Sequence, residues 1–262
     1  MTGALGSPEE KAKKIFGERA SFYSTSPAHT DPQVLKRVVE MSSPQSDWIA
    51  LDVATGTGHT AFALAPFTSS VIGTDLTTEM LSEAKGLQAS QSVSNVVFCA
   101  SDVHHLPFAD RSFDLVSCRR AAHHFSQIEI ALREMRRVLR IEGRLVVDDR
   151  SVPEDDFVDQ CMNELDRLHD HSHVRQYRPS EWVQMLMAQG FEIDAIEPYH
   201  KHRPLTSLTG GIPSADAVQI HQLLDNLNDP QRLALDLREV SGELCINHWF
   251  VMVSARRIRG KT

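Results

Sequence analysis

Long hydrophobic runs and an excess of basic residues are both missing from this 262-residue sequence. No apolar run approaches the roughly 20 residues that cross a bilayer, and residues 1–14 lack an apolar core followed by a small-residue cleavage site. These absences predict a cytoplasmic protein with no signal peptide and no membrane partner. The formal charge of −8 argues against a nucleic-acid partner, because non-specific nucleic-acid binding needs a basic face. A small RNA held by a local patch stays open.

Cysteine is also scarce, and the sequence contains no CxxC pair. The four cysteines are Cys99, Cys118, Cys161 and Cys245. Such scattered residues predict reduced, mostly buried thiols rather than a disulfide framework or a thiolate zinc site.

A histidine-rich segment suggests a metal site, but its spacing does not support one. His169, His171 and His173 alternate, and alternate residues of a helix point about 200° apart. An extended segment could bring the three rings together, yet no matching cysteine or carboxylate spacing accompanies them. We therefore predict no metal and a polar segment that faces solvent or substrate. Within it, Arg175 and Arg178 are candidates for holding an anionic acceptor.

What the sequence does contain is an alternation of short apolar runs and helical patterns. The strand-length runs cover residues 48–53, 70–75, 96–101, 113–118, 144–148, 191–197 and 244–254. Between them, residues 78–89 and 128–139 repeat apolar side chains at helical spacing. This order predicts an α/β fold with a Rossmann-like, seven-stranded, mostly parallel sheet and helices on both faces. Residues 8–40 predict two helices joined by a loop, and residues 202–238 predict a helical insertion before the last strand.

The turn after the first predicted strand is rich in glycine. It reads Asp52-Val53-Ala54-Thr55-Gly56-Thr57-Gly58 and leads into a helical segment. Gly56 and Gly58 allow a tight turn and a close approach of the backbone to a ligand. A tight turn without any ligand is the alternative, because the same pattern follows many strands.

Acidic residues end the next two strands, which favours a nucleoside ligand. Asp75 can accept hydrogen bonds from two ribose hydroxyls, and Asp102 can accept one from an adenine amino group while Val103 packs on the ring. Asp52 beside the loop would repel a pyrophosphate and suits a ligand that carries ammonium and sulfonium groups. A nicotinamide dinucleotide is therefore the weaker alternative.

At this point the sequence resembles the class I S-adenosylmethionine-dependent methyltransferases, in particular the methyltransferase type 11 and UbiE-like small-molecule group. The matching stretches are LDVATGTG (51–58), GTDLTTEML (73–81), SDVHHLPFADRSFDLV (101–116) and REMRRVLRIEGRLVV (133–147). Ala54 stands where many members have the first glycine of the loop, and residues 141–143 replace the usual Pro-Gly-Gly turn.

The resemblance implies S-adenosyl-L-methionine as the cofactor and a role for each matching residue. Gly56 and Gly58, with Ala54 in the same loop, would approach the methionine part, and Asp52 would organise the loop. Asp75 with Leu76 would hold the ribose. Asp102 and Val103 would frame the adenine, and Arg119 would sit near the methionine part or the acceptor.

Two further segments resemble a subgroup of small bacterial-type methyltransferases. FGERASFYSTSPAHT (16–30) resembles an N-terminal lid in which Tyr23 and His29 close over the methionine end of the cofactor. CRRAAHHF (118–125) would line the acceptor side, where His123 is a candidate catalytic base and a structural histidine pair is the alternative.

The resulting prediction is a single methyltransferase domain over residues 1–262. It comprises a lid (1–45), a cofactor-binding core (46–150) and an acceptor-side half with a cap (151–262). Its acceptor is a small molecule that the sequence does not identify, and the oligomeric state is not indicated. A non-methylating or regulatory protein that binds the same cofactor on the same fold is the alternative.

Overall fold

Five parallel strands form the first part of the sheet in the computed structural model, which describes residues 7–259. They are β1 (Ile49–Val53), β2 (Ser70–Asp75), β3 (Val96–Ala100), β4 (Phe113–Arg119) and β5 (Leu139–Ser151). β1 lies between β2 and β4, β3 pairs with β2, and β5 pairs with β4, always in parallel. The carboxyl ends of all five strands therefore meet at one edge of the sheet, where ligands of such folds bind.

Three strands of the second half complete the sheet: β6 (Phe191–Pro204), β7 (Arg238–Val240) and β8 (Glu243–Arg257). β8 runs antiparallel between β5 and β6, so the strand order is β3-β2-β1-β4-β5-β8-β6. The predicted Rossmann-like, mostly parallel sheet is confirmed. The short β7, which pairs only with β8, makes an eighth strand. Its three residues are exposed and too few to give a sequence signal.

The last strands are longer than the sequence predicted. The prediction ended β6 at residue 197, whereas the strand continues through His200-Lys201-His202-Arg203 to Pro204. This polar stretch has no buried apolar run, and its pairing with β8 along its whole length keeps it extended. As a result, the paired strands β6 and β8 carry polar side chains to the edge of the sheet where the functional site lies.

Within residues 7–259 the helices surround this sheet. They are α1 (Pro8–Glu18), α2 (Ala20–Thr25), α3 (Pro27–Thr30), α4 (Pro32–Ser42), α5 (His59–Leu64), α6 (Thr78–Gln91), α7 (Ile128–Val138), α8 (Asp156–His169), α9 (Pro179–Ala188), α10 (Thr206–Thr209), α11 (Ser214–Asp225) and α12 (Asp229–Ala234). The predicted loop between the first two helices is in fact the short helices α2 and α3. The predicted insertion before the last strand corresponds to α10–α12.

Strand alternation divides the core between the two faces of the sheet. In β1, Ala50 packs with α4 and α5 on one face, whereas Leu51 packs with α7 and α9 on the other. A third apolar cluster joins α8, α10 and α11 to β8. Among the described residues, no helix combines the length and the apolar character needed to cross a membrane. The predicted lid begins at residue 1, and its first six residues lie outside the described part.

Candidate functional site

The loop after β1 has the backbone conformation that its glycines predict. Gly56 (φ 56°) and Gly58 (φ 88°) are left-handed, and a Cβ at Gly58 would lie 2.9 Å from the Phe62 ring. The N–H of Gly56 donates to Asp75 Oδ2 (2.8 Å), which joins the loop to the end of β2. Ala54 is also left-handed (φ 51°), which explains why glycine suits this position better.

Asp52 holds this loop in place from the buried side of the sheet edge. Its carboxylate is buried and accepts hydrogen bonds from Thr55 Oγ1 (2.5 Å) and Ser117 Oγ (2.6 Å). Burial raises the pKa of Asp52 to about 6, although both hydroxyls oppose the change. Asp52 does not line the cavity in front of the loop, and Gly58 does not either.

A first cavity opens at the carboxyl edge of β1, β2 and β4. Nine of the eleven residues that the sequence nominated for cofactor binding line it, namely Tyr23, His29, Ala54, Gly56, Asp75, Leu76, Asp102, Val103 and Arg119. The cavity wall thus brings together residues from α2, α3 and the ends of β1–β4 that are far apart in the sequence.

Two carboxylates stand at one end of the first cavity. Asp75 accepts backbone hydrogen bonds from Gly56 and from Thr77 (2.8 Å to Oδ1), so both oxygens are held in place. Asp102 Oδ1 accepts from the backbone N–H of His104 and lies 2.8 Å from His104 Nδ1. Each carboxylate keeps lone pairs that can accept further donors.

Two buried polar atoms on this wall have no hydrogen-bond partner among the described residues: His104 Nε2 and Arg119 Nη1. Arg119 donates from Nε to Thr60 Oγ1 (2.8 Å) and from Nη2 to the His29 carbonyl (2.7 Å). Arg119 Nη1 is a donor, whereas His104 Nε2 is an acceptor when Nδ1 donates to Asp102. Unpaired polar atoms of this kind are costly in a protein interior unless a ligand satisfies them. The sequence nominated Arg119 but gave no signal for His104, whose ring reaches the wall only because of the turn after β3.

The N-terminal helices cover the first cavity. The Tyr23 ring packs edge-on against His29 (4.7 Å between centroids) and Phe16 (5.6 Å). Phe16 in turn packs against His124 (4.9 Å). Burial first, and then the charge of Arg119, hold the pKa of His29 well below its usual value. The part of the cover formed by Phe16, Tyr23 and His29 is therefore aromatic and uncharged, and Glu9 of α1 adds a carboxylate beside it.

A second cavity of about 930 Å³ adjoins the first. The two share the side chains of Phe16, Tyr23, His29, Arg120 and His124. A cavity of this size is typical of a small-molecule site.

His123 lines the second cavity rather than the first. Its Nδ1 lies 2.5 Å from Asp149 Oδ1, and its backbone N–H donates to Asp149 Oδ2 (2.9 Å). Burial raises the pKa of Asp149 to about 6. Burial, and then the charges of His124 and His173, lower the pKa of His123 well below its usual value. Asp149 thus fixes the ring with Nδ1 as donor, which leaves Nε2 as an acceptor.

The arginines nominated for an anionic acceptor are already engaged elsewhere. Arg175 pairs with Asp159 (3.1 Å) and Glu181 (2.9 Å), and Arg178 pairs with Asp156 (2.7 Å) and Asp159 (2.8 Å). Neither arginine lines the first or second cavity. That nomination was wrong, because acidic residues of α8 and α9 neutralise both side chains. The partners on α8 lie at least 16 residues away along the chain, so the sequence did not reveal these pairs.

The alternating histidines also separate. His169 and His173 line the second cavity, whereas His171 lies 3.1 Å from Asp216 and is exposed. Over residues 7–259, no group of three or more histidine, cysteine or acidic side chains is arranged to hold a metal ion.

Sequence comparison places this architecture among known proteins. A family described as "Methyltransferase domain" matches residues 44–192, more than half of the chain. The chain belongs to this methyltransferase domain family. The assignment confirms the resemblance to class I methyltransferases and the prediction of a transferase. The match includes β1–β5, α8 and α9 but not the N-terminal helices or β8.

Relatives of this methyltransferase include proteins that match along most of its length. It is 35% identical over 219 residues to YcgJ of Bacillus subtilis, an uncharacterised methyltransferase, with 83% of this chain and 87% of YcgJ covered. The crystal structure of YcgJ superposes with a TM-score of 0.81 over 86% of this chain and 98% of that one, at 32% identity. A demethylmenaquinone methyltransferase of Thermotoga maritima is 38% identical over 120 residues, 45% of this chain and 50% of that protein.

Proposed function

We propose that this methyltransferase binds S-adenosylmethionine in the first cavity and transfers its methyl group to a small-molecule acceptor in the second. The observation that carries the proposal is the unpaired, buried Nη1 of Arg119 on the wall of the first cavity. Arg119 would pair with the carboxylate of the methionine part, a charge-assisted contact stronger than a neutral hydrogen bond.

The other residues of the wall suit the remaining parts of this cofactor. Asp75, held by two backbone N–H groups, would accept from the ribose hydroxyls. Asp102 and the unpaired His104 Nε2 would meet the polar edge of the adenine, and Val103 would pack on its face. Asp52 and Gly58 would act indirectly by fixing the loop.

The cofactor supplies a methyl group on a positively charged sulfur, which is already a good leaving group. The protein therefore has to align the acceptor and exclude water. Tyr23 and His29 cover the methionine end, and the His29 ring adds no positive charge there because its pKa is lowered. Because the two cavities adjoin, an acceptor in the second would reach the methyl group past Arg120 and His124.

The deciding experiment is calorimetric titration with S-adenosylmethionine, S-adenosylhomocysteine, 5′-methylthioadenosine and NAD. We expect micromolar binding of the first two and none of NAD. Arg119→Lys should weaken S-adenosylhomocysteine binding about 10- to 100-fold, which corresponds to about 1.4–2.8 kcal/mol. It should leave 5′-methylthioadenosine binding nearly unchanged, because that molecule lacks the carboxylate.

Arg133→Lys is the matched control, because Arg133 is exposed on α7 and should change neither affinity. Binding of NAD, or equal loss of both nucleosides in Arg119→Lys, would contradict the proposed role of Arg119. A chain that binds S-adenosylmethionine but never releases S-adenosylhomocysteine with any acceptor would favour the non-methylating alternative.

A further inference from the structure

The second cavity is rich in arginine. The charged side chains that line it are Arg19, Arg120, Arg150, Arg203, Asp31, Asp166 and Asp170. Most of these have partners: Arg120 pairs with Asp148 (3.0 Å), Arg150 with Asp166 (2.7 Å), and Asp31 with Lys201. The charged side chains that have no partner of opposite charge decide which ligand the cavity prefers.

Among the described residues, Arg19, Asp170 and Arg203 of this cavity form no ion pair. Asp170 accepts a hydrogen bond from Ser172 Oγ (2.6 Å) and Arg19 donates one to the Gly211 carbonyl (3.3 Å), which leaves Arg203. The Arg203 side chain is partly buried, and it makes neither an ion pair nor a hydrogen bond with any residue of the range 7–259. Burial first, and then the charges of Arg120 and Arg150, lower the pKa of Arg203. Asp31 opposes this change. An arginine in this setting keeps its charge, so the cost of its partial desolvation is not offset by a contacting counter-ion.

Two further polar atoms of this cavity lack partners. His248 is only 1% exposed; its Nε2 is 3.0 Å from Ser207 Oγ, and its Nδ1 has no hydrogen-bond partner among the described residues. Arg150 Nε is likewise buried without a partner, although Nη2 of the same side chain binds Asp166. These atoms are potential donors, for His248 in the tautomer that carries its proton on Nδ1.

The sheet brings these three side chains to the same face. In the antiparallel pairing, Arg150 is opposite Phe250 on β8, and His248 is opposite Lys201 on β6. Residues two apart on a strand share a face, so His248 lies on the face of Phe250, and Arg203 on that of Lys201. Arg150, His248 and Arg203 therefore come from three adjacent strands and face the same side, at the wall of the second cavity.

We propose that the second cavity binds an acceptor with an anionic group, a carboxylate or a phosphate, held by Arg203, Arg150 and His248. This inference rests on the proposed function, because it takes the second cavity to be the acceptor site. It deepens that function by naming the chemical class of the acceptor. The anion would be bound at the ends of β5, β8 and β6, and the atom to be methylated would extend toward the shared wall at His124.

The test is titration of the protein with two simple anions, inorganic phosphate and acetate, at constant ionic strength maintained with sodium chloride. It is carried out both on the free protein and on the protein saturated with S-adenosylhomocysteine. We expect millimolar binding of at least one anion, and the tighter of the two identifies phosphate or carboxylate as the recognised group. Arg203→Gln should weaken that binding at least tenfold, and Arg203→Lys should weaken it less because the charge is kept.

Arg133→Gln removes the same charge from the exposed face of α7 and should change anion affinity less than twofold. No anion binding by the wild-type protein, or equal binding by Arg203→Gln and Arg133→Gln, would overturn the inference. S-adenosylhomocysteine affinity is measured separately for every variant. If it is unchanged, the variants are folded and the cofactor proposal stands whatever the anions do. If the wild-type protein does not bind S-adenosylhomocysteine, the proposed function fails while the free-protein titration still tests the anion site.

Discussion

His123 and Asp149 show how a neighbouring carboxylate orients a histidine ring for proton transfer. The carboxylate binds both the ring Nδ1 and the backbone N–H of His123. A histidine oriented in this way is neutral near pH 7, because its pKa is lowered, and its Nε2 can take a proton from an acceptor. The sequence nominated His123 as a base, and this role stays a prediction.

The variants His123→Asn and Asp149→Asn test that role. We expect His123→Asn to lower kcat by a factor of about 10² to 10⁴, which is typical of a lost general base, while the affinity for S-adenosylmethionine changes little. Asp149→Asn should lower kcat less than His123→Asn does, and it should shift the pH dependence of kcat, because Asp149 acts through His123. The measurement is S-adenosylhomocysteine release with an acceptor found by screening. Undiminished turnover in His123→Asn would make the histidine pair structural.

Ala54 has a backbone conformation that glycine adopts more easily than alanine. Its φ of 51° is left-handed, which costs a non-glycine residue about 1–2 kcal/mol. We expect Ala54→Gly to raise the free energy of unfolding, by up to about 1 kcal/mol after the greater entropy of unfolded glycine is subtracted. The control is Ala89→Gly, in the exposed part of helix α6, which should destabilise by about 1 kcal/mol. Urea denaturation measures both, and equal losses would contradict the expectation.

At the scale of elements, the N-terminal helices depend on the site they cover. α1 is held by hydrogen bonding of Ser126 to Glu9 and by the contact of Phe16 with His124. Arg119 holds the carbonyl of His29 at the end of α3. If the first cavity binds the cofactor, Tyr23 and His29 gain contacts with it. Local opening of α1–α3 then becomes less frequent.

Hydrogen exchange measures this coupling. We expect S-adenosylhomocysteine to slow amide exchange in residues 8–30 several-fold. The control is α9, which packs against β6 and β8 away from the first cavity and should exchange at the same rate with and without the ligand. Equal exchange in residues 8–30 with and without the ligand would show that these helices are a fixed part of the wall rather than a lid.

The elements differ in how far the sequence could predict them. β1, β4 and the later part of β5 have apolar runs buried on both faces, and β2 and β3 have apolar runs that are partly exposed, so the positions of all five strands were predictable. The loop at Gly56 was predictable as well, because its backbone conformation requires glycine. The proposed anion site was not predictable, because Arg203 belongs to a polar stretch that is a strand only because β8 pairs with it. Arg175 and Arg178 are equally basic in sequence, and only the fold shows that α8 and α9 neutralise them.

At the scale of the whole molecule, buried histidines make stability depend on pH. Burial holds the pKa of His29 and His248 well below 6.5 and lowers that of His173 to about 4. Below pH 6.5 the unfolded chain binds protons at these residues and the folded chain does not, so each contributes a loss of about 1.4 kcal/mol per pH unit. Asp52 and Asp149, with raised pKa values of about 6, and Asp75, whose pKa is also raised, act in the opposite direction at low pH. These three carboxylates are outnumbered, because the pKa values of His59 and His123 are lowered as well.

We therefore expect the urea midpoint of the cofactor-free protein to fall from pH 7.5 to pH 5.5. His248→Gln should reduce the slope, because one of the buried groups is removed. His171→Gln is the control, since His171 is exposed, and it should leave the slope unchanged. A midpoint that rises on acidification would mean that the buried carboxylates outweigh the histidines.

The position of β8 has a consequence for the order in which the protein takes shape. β8 is the last strand along the chain, yet it lies between β5 and β6, so β6 has no neighbour until residues 243–257 have left the ribosome. The methyl-donor side is built from β1–β4, none of which pairs with β8, so we expect it to form first, and pulse-labelled exchange during refolding would reveal that order. Selectivity for the acceptor would then be acquired in the final step of folding, when β8 inserts between β5 and β6 against a half that is already assembled.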